Sequence, residues 1–155
     1  MPTVVKRILI LSDSHGWSLE SLLMKAEALG PIDAVFHAGD GCRDLDRFSG
    51  DLPQIYQVSG NCDFFPAAQE LAFDLFGKRF LLCHGHRYSV KSTMSLLEDR
   101  AMDVKADCVV FGHTHSVYNE MRNGVLYLNP GAACDHRFMI LQIMEDQTLY
   151  ARTFS

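Results

Sequence analysis

The sequence predicts an α/β fold in which two β-sheets pack face to face with helices outside. Three observations lead there. The first half alternates short apolar runs with helical stripes, a βαβαβ pattern that favours a parallel sheet with right-handed crossovers. The second half changes to pairs of strand-like runs joined by turn residues, in the manner of a meander. The composition, 48% hydrophobic and 21% charged over 155 residues, suits a globular chain able to bury most of its apolar surface, most economically as one domain over 1–155.

Arg7 to Ser12 is a continuously apolar run, as expected of a strand covered on both faces. It stops at Asp13-Ser14-His15-Gly16. Ser18 then reads as an N-cap, with Leu19, Leu22, Leu23, Ala26 and Leu29 as a helical stripe closed by Gly30-Pro31. Asp33 to His37 is a second strand ending in Ala38-Gly39-Asp40, and a short helix around Asp44 to Phe48 follows. Gln54 to Val58 is a third strand, ending in Ser59-Gly60-Asn61-Cys62-Asp63.

Glu70 to Phe76 and Arg79 to Cys83 form a hairpin about Gly77-Lys78, and the second run ends in His84-Gly85-His86. Ser92 to Val104 fits a helix with Met94, Leu97, Ala101 and Val104 on one side. Asp107 to Phe111 is a strand that ends in Gly112-His113-Thr114-His115. Val117 to Met121 and Val125 to Leu128 flank Asn123-Gly124, the signature of a type I′ turn. After Asn129-Pro130-Gly131, Phe138 to Met144 and Thr148 to Phe154 make two final strands around Glu145-Asp146.

The formal net charge of −5 and the lack of a Lys/Arg-rich run argue against a protein that coats extended nucleic acid. A small phosphate-bearing substrate stays open, because bound metals can supply positive charge. No apolar stretch reaches the ~18 residues of a membrane span, and the N-terminus lacks a leader-like pattern. Five cysteines (42, 62, 83, 108 and 134) are an odd number without a CxxC pair, which reads as a reduced, cytoplasmic protein.

The polar residues at predicted strand ends are Asp13, His15, Asp40, Asn61, His84, His113 and His115. Ligands of α/β sheets bind at the carboxyl ends of strands, so these clusters should converge. Two carboxylates, four imidazoles and one amide oxygen, without thiolate, suit Mn, Fe, Zn, Ni or Co. Seven ligands exceed one tetrahedral zinc and fit two metals that share a carboxylate and activate a bridging hydroxide.

Asp13-x-His15, Gly39-Asp40, Gly60-Asn61-Cys62-Asp63, His84-Gly85-His86 and Gly112-His113-x-His115 resemble, in order and spacing, the five blocks of the calcineurin-like metallophosphoesterases. The size, the Gly-Asn-Cys-Asp form and Asn129-Pro130-Gly131 look most like the small YfcE-type phosphodiesterases. The resemblance implies an αββα sandwich of two mixed β-sheets flanked by helices. It implies two divalent ions per chain, manganese foremost among Ni, Fe, Zn, Co and Mg. Asp13, His15 and His115 would hold one metal, Asn61, His84 and His113 the other, with Asp40 bridging.

Cys62, Asp63 and His86 are the candidates for the chemistry itself. Cys62 stands where many relatives carry a His that protonates the leaving group, and a thiol of pKa ~8.5 is a poor donor to an alkoxide. The resemblance therefore implies preference for phosphodiesters, or for esters with good leaving groups, over alkyl monoesters. Asp63 can instead cap or orient its neighbours, and His86 can contact phosphate. Ala132 replaces a Ser that often follows Asn-Pro-Gly. His37 and His136 match no block and read as structural. Trp17, Phe64 and Phe65 flank the blocks, as core or rim packing or as a platform for an aryl or nucleobase group. Arg43 and Arg87 could steer an anion. A phosphomonoesterase, a mononuclear hydrolase and a non-catalytic scaffold, such as the retromer subunit built on this fold, are the alternatives. Small phosphoesterases of this type often self-associate, which makes a homo-oligomer an open expectation.

Overall fold

Residues 2–41, 43–64 and 67–155 are described in this computed structural model. Cys42 and Phe65 lie outside the described residues. Strands β1 (Val4–Leu11), β2 (Ala34–His37), β3 (Gln54–Gln57), β9 (Phe138–Met144) and β10 (Leu149–Phe154) form one sheet in the order β10-β9-β1-β2-β3. Strands β4 (Glu70–Leu75), β5 (Lys78–Cys83), β6 (Cys108–Val110), β7 (Tyr118–Arg122) and β8 (Val125–Asn129) form the other, in the order β4-β5-β6-β8-β7. Both sheets are mixed. β1, β2 and β3 run parallel, as do β5, β6 and β8, while β9, β10, β4 and β7 add antiparallel edges.

The continuous apolar run of β1 follows from burial on both faces. Ile8 and Ile10 enter a core between the sheets with Phe36, Phe80, Leu82, Val110 and Leu141. Leu9 and Leu11 face the opposite way, into a second core with Leu22, Leu23 and Ala26 of helix α1 (Glu20–Ala28). Leu81 and Val109 similarly face Leu97 and Ala101 of helix α2 (Ser95–Val104). Alternation at period two thus serves four layers, helix, sheet, sheet, helix. Phe36 of one sheet meets Phe80 and Phe73 of the other edge-on, at ring separations of 5.1 and 5.4 Å. Such pairs add roughly 0.5–1.5 kcal/mol each beyond simple burial. No helix among the described residues is long and apolar enough to cross a membrane.

Local details differ from the sequence expectations. Leu19, not Ser18, is the residue before α1, and Ser18 Oγ only accepts the Glu20 N–H at 3.4 Å. Leu29 is 42% exposed and falls off the buried stripe. Of the helix expected around Asp44 to Phe48, only a 3-10 turn forms, at Asp46–Phe48. Helix α2 starts at Ser95 rather than Ser92, because Thr93 Oγ1 accepts the Ser95 N–H and the preceding residues form a turn. The β4–β5 hairpin turns at Phe76-Gly77, both with positive φ, and Lys78 pairs with Leu75. A type I′ turn needs that conformation at both central residues, and the Phe at the first of them hid the signal. Asn123-Gly124 turns as expected, with φ of 51° and 79°.

Candidate metal centre

The loops after β1, β2, β3, β5 and β6 meet at one end of the sandwich. Backbone bonds tie them together. Asp13 N–H donates to Gly39 O, His15 N–H to Asp40 O, and Gly112 N–H to His84 O. The two sheets join where the His113 N–H donates to Asp13 Oδ2 at 3.0 Å. Glycine is needed at Gly112, where a Cβ would collide with Ser12 Oγ and Asp13 Oδ2, and at Gly60, where it would strike Asp40 Oδ1. Asp13, His15, Asp40, His113 and His115 all hold positive φ, between 49° and 70°. Left-handed conformations cost roughly 1–3 kcal/mol each and gather where function demands a geometry.

Asp13 is fully buried and divides its carboxylate between two tasks. Oδ2 accepts from Ser12 Oγ and from the His113 N–H, at 2.7 and 3.0 Å. Oδ1 is buried without a hydrogen-bond partner, yet His115 Nε2 lies 3.3 Å away and His15 Nε2 3.7 Å. Asp40 is organised alike: Oδ1 accepts the Cys62 N–H at 2.8 Å, and Oδ2 faces His84 Nε2 at 3.2 Å and His15 Nε2 at 3.9 Å. His84 Nδ1 donates to Ala38 O at 2.8 Å. That bond fixes the tautomer and leaves Nε2 as a lone-pair donor. Nε2 is itself buried with no hydrogen-bond partner.

Two three-donor groups result, Asp13–His15–His115 and Asp40–His84–His113, each with its ligand atoms within 4.8 Å of one another. Asp40 also reaches a third group with His15 and Cys62. Orphaned, buried lone pairs that converge are what a cation would satisfy. The residues present therefore fit divalent metal. Burial resists ionisation of Asp40, but the His84 imidazole and the Cys62 N–H outweigh it and hold its carboxyl well below the usual range. Burial also works against a charge on His84, which the Asp40 and Asp13 carboxylates overcome, raising its pKa. His113 and His86 are lowered, by burial and then by His84, and so favour the neutral form that metals bind.

Asn61 is exposed, and its amide donates to Cys62 Sγ at 3.6 Å. The Cys62 thiol is pushed up, by desolvation and then by Asp40, which makes it a still weaker acid. Asp63 is drawn into backbone work. Its carboxylate accepts the N–H groups of Asp40, Gly41 and Gly60 at 2.7–2.8 Å. His86 holds its ring tilted against its neighbours, 5.5 Å from His84 and 6.1 Å from His113, with Nδ1 buried and without a hydrogen-bond partner. Asn129 braces the His113–His115 loop by donating to Gly112 O and Thr114 Oγ1. The described cysteines, 62, 83, 108 and 134, are all free thiols.

Trp17 and Phe64 are 65% and 93% exposed, so neither is core. Arg43 lines a cleft of about 260 Å³ with His15, Asp40 and Cys62, whereas Arg87 is engaged with Gln69 at 2.8 Å. His136 ends a turn in the left-handed region and is exposed. His37 is structural: its Nδ1 accepts the Gly39 N–H at 3.1 Å, and its Nε2 meets Ser14 Oγ at 2.9 Å. Ser14 in turn donates to Asp44, which also accepts the Gly16 N–H. This Ser14–Asp44 brace leaves no trace in the sequence, because a lone Ser and a lone Asp are common in loops.

Burial lowers the His37 pKa from 6.5 to about 4, against the pull of Asp44. Below pH 6.5 the unfolded chain takes up a proton that the folded chain refuses, so stability falls from about pH 6.5 to about pH 4 and then levels. The loss should reach roughly 2–3 kcal/mol between pH 7 and pH 4.5. Urea unfolding of chelator-treated protein will show a shallower acid dependence in His37→Gln. Equal slopes in both proteins would contradict this role.

A family model for the calcineurin-like phosphoesterase superfamily domain matches residues 7–145. The probable metallophosphoesterase YsnB of Bacillus subtilis is 33% identical over 126 residues, covering 81% of this chain and 73% of that protein. The phosphodiesterase YfcE of Escherichia coli is 27% identical over 112 residues, covering 66% and 57%. Among solved structures, Vacuolar Protein Sorting 29 from Cryptosporidium parvum superposes with a TM-score of 0.80 at 21% identity, covering 97% of each chain, which is a likeness of fold.

Proposed function

The chain belongs to the calcineurin-like phosphoesterase superfamily, and from that premise we propose that it is a dinuclear metal-dependent phosphodiesterase acting on small phosphate esters in the cytoplasm. The observation that carries this reading is the pair of buried, unpartnered ligand atoms, Asp13 Oδ1 and His84 Nε2, set in two donor groups that Asp40 joins. Asp13, His15 and His115 would hold one metal. His84, His113 and the Asn61 amide would hold the other, and Asp40 would serve both. When bound, divalent cations such as manganese polarise the phosphoryl group and acidify the attacking water.

The chain's own residues do the rest. Ser12 and the His113 N–H fix Asp13 so that only Oδ1 faces the centre. Asp63 is a positioning residue that clamps the Asp40 and Gly60 loops through three N–H groups. His86 offers a neutral imidazole to a phosphate oxygen. Cys62 lies beside His15 and Asp40, but its thiol is a weak hydrogen-bond donor whose acidity burial lowers further, so it is a poorer general acid for a departing alkoxide than an imidazolium. Esters whose leaving group departs without a proton are therefore favoured, diesters with an aryl group among them. The rival reading, a non-catalytic scaffold, draws on the likeness to Vacuolar Protein Sorting 29. Hydrolysis, rather than metal binding, separates the two readings.

The test is hydrolysis of bis-p-nitrophenyl phosphate against p-nitrophenyl phosphate by chelated protein reconstituted with Mn, Ni, Co, Zn or Mg. Diester turnover should exceed monoester turnover with the favoured metal and vanish in the chelated protein. Metal-loaded protein that hydrolyses no ester would favour the scaffold. Cys62→His should raise kcat/KM toward alkyl monoesters at least about tenfold, since an imidazole can donate the proton. No gain, with metal content unchanged, would remove Cys62 from the account of selectivity.

A further inference from the structure

The cleft beside the metal-binding residues does not end at Gly16. A second cavity of about 450 Å³ opens there, walled by Trp17, Arg47 and Phe48. Gly16, Arg43 and Asp44 line both cavities, so the two adjoin. Trp17 is the chain's one tryptophan, and it is 65% exposed on this wall rather than buried. The Arg47 guanidinium stacks over the Phe48 ring at 5.0 Å and has no carboxylate partner among the described residues.

Resting on the proposed phosphoesterase, we infer that this second cavity is the subsite for the retained ester group of the substrate, and that it takes a nucleoside. A planar heteroaromatic ring gains the Trp17 face, as any base can. Its ring acceptors can take hydrogen bonds from the Arg47 guanidinium that lines the cavity. A cationic group such as choline would also gain the Trp17 face, but it would meet the Arg43 and Arg47 guanidinium groups that line the cavity. The Asp44 carboxylate is committed to Ser14 and the Gly16 N–H, and Asp46 pairs with Arg43 at 3.1 Å. A short alkyl group would leave the ring faces and the guanidinium wet. The space also suits a base with its sugar better than the 260 Å³ cleft at the cluster does.

Trp17 makes the binding directly observable by fluorescence in manganese-loaded protein. Adenosine 5′-monophosphate should quench it saturably, and ribose 5-phosphate should not. Arg47→Ala should raise the half-saturating nucleotide concentration about tenfold. In kinetics, Trp17→Ala should lower about tenfold the kcat/KM ratio of thymidine 5′-(p-nitrophenyl phosphate) to p-nitrophenylphosphorylcholine, mainly through KM. Both esters share one leaving group, so the ratio reports the retained group alone. Equal quenching by the two phosphates, or an unchanged ratio, would overturn the subsite. Nucleotide quenching in a protein that hydrolyses neither ester would keep the subsite and remove the enzyme. Hydrolysis of both esters with no quenching would do the reverse.

Discussion

Asp40→Asn is expected to lower diester turnover by on the order of a thousandfold, about 4 kcal/mol of transition-state stabilisation. The substitution keeps the shape of the side chain, and an amide oxygen at the Oδ1 position still accepts the Cys62 N–H. It removes the negative charge from the oxygen 3.2 Å from His84 Nε2 and 3.9 Å from His15 Nε2. If Asp40 serves both metals, losing that charge weakens both, so metal content and rate fall together while the fold persists. Elemental analysis, a diester assay and circular dichroism on the same preparation check it. A folded variant that keeps full metal and more than a tenth of wild-type turnover would contradict the bridging role.

The second large effect concerns the two imidazoles that leave one loop for different destinations. His115 Nε2 lies 3.3 Å from Asp13 Oδ1, whereas His113 groups with Asp40 and His84. His115→Ala should therefore empty the position shared with Asp13 and His15, and His113→Ala the other. Each variant is expected to retain about one metal per chain and to lose roughly a hundredfold or more in turnover. The remaining metal should differ in affinity between the two, since one position keeps His84 and the other keeps His15. Loss of both metals in either variant, or of neither, would mean that the pair does not divide its loyalty.

Much of this was legible because strand burial leaves an unmistakable trace. The run Ile8-Leu9-Ile10-Leu11 faces two cores in alternation, so every position must be apolar, and the sequence shows it. The polar residues after β1, β2, β5 and β6 could be gathered on paper because parallel strands deliver their carboxyl ends to one side. What stayed hidden is conformational and tertiary. Nothing in the letters says that Asp13, His15, Asp40, His113 and His115 take positive φ. Nor could spacing reveal that Asp63 spends its carboxylate on three backbone N–H groups. Phe76 at a left-handed turn position and Trp17 on an exposed wall run against the preferences of their residue types. Long-range contacts decide such cases.

Occupancy of the proposed two-metal centre should govern hydrolysis. Titration of chelated protein with manganese, followed by metal content and bis-p-nitrophenyl phosphate turnover at each step, tests it most directly. Binding should saturate at two ions per chain, with turnover rising as the second position fills. Full turnover at one ion per chain, or saturation at two ions with no hydrolysis of any diester, would contradict it.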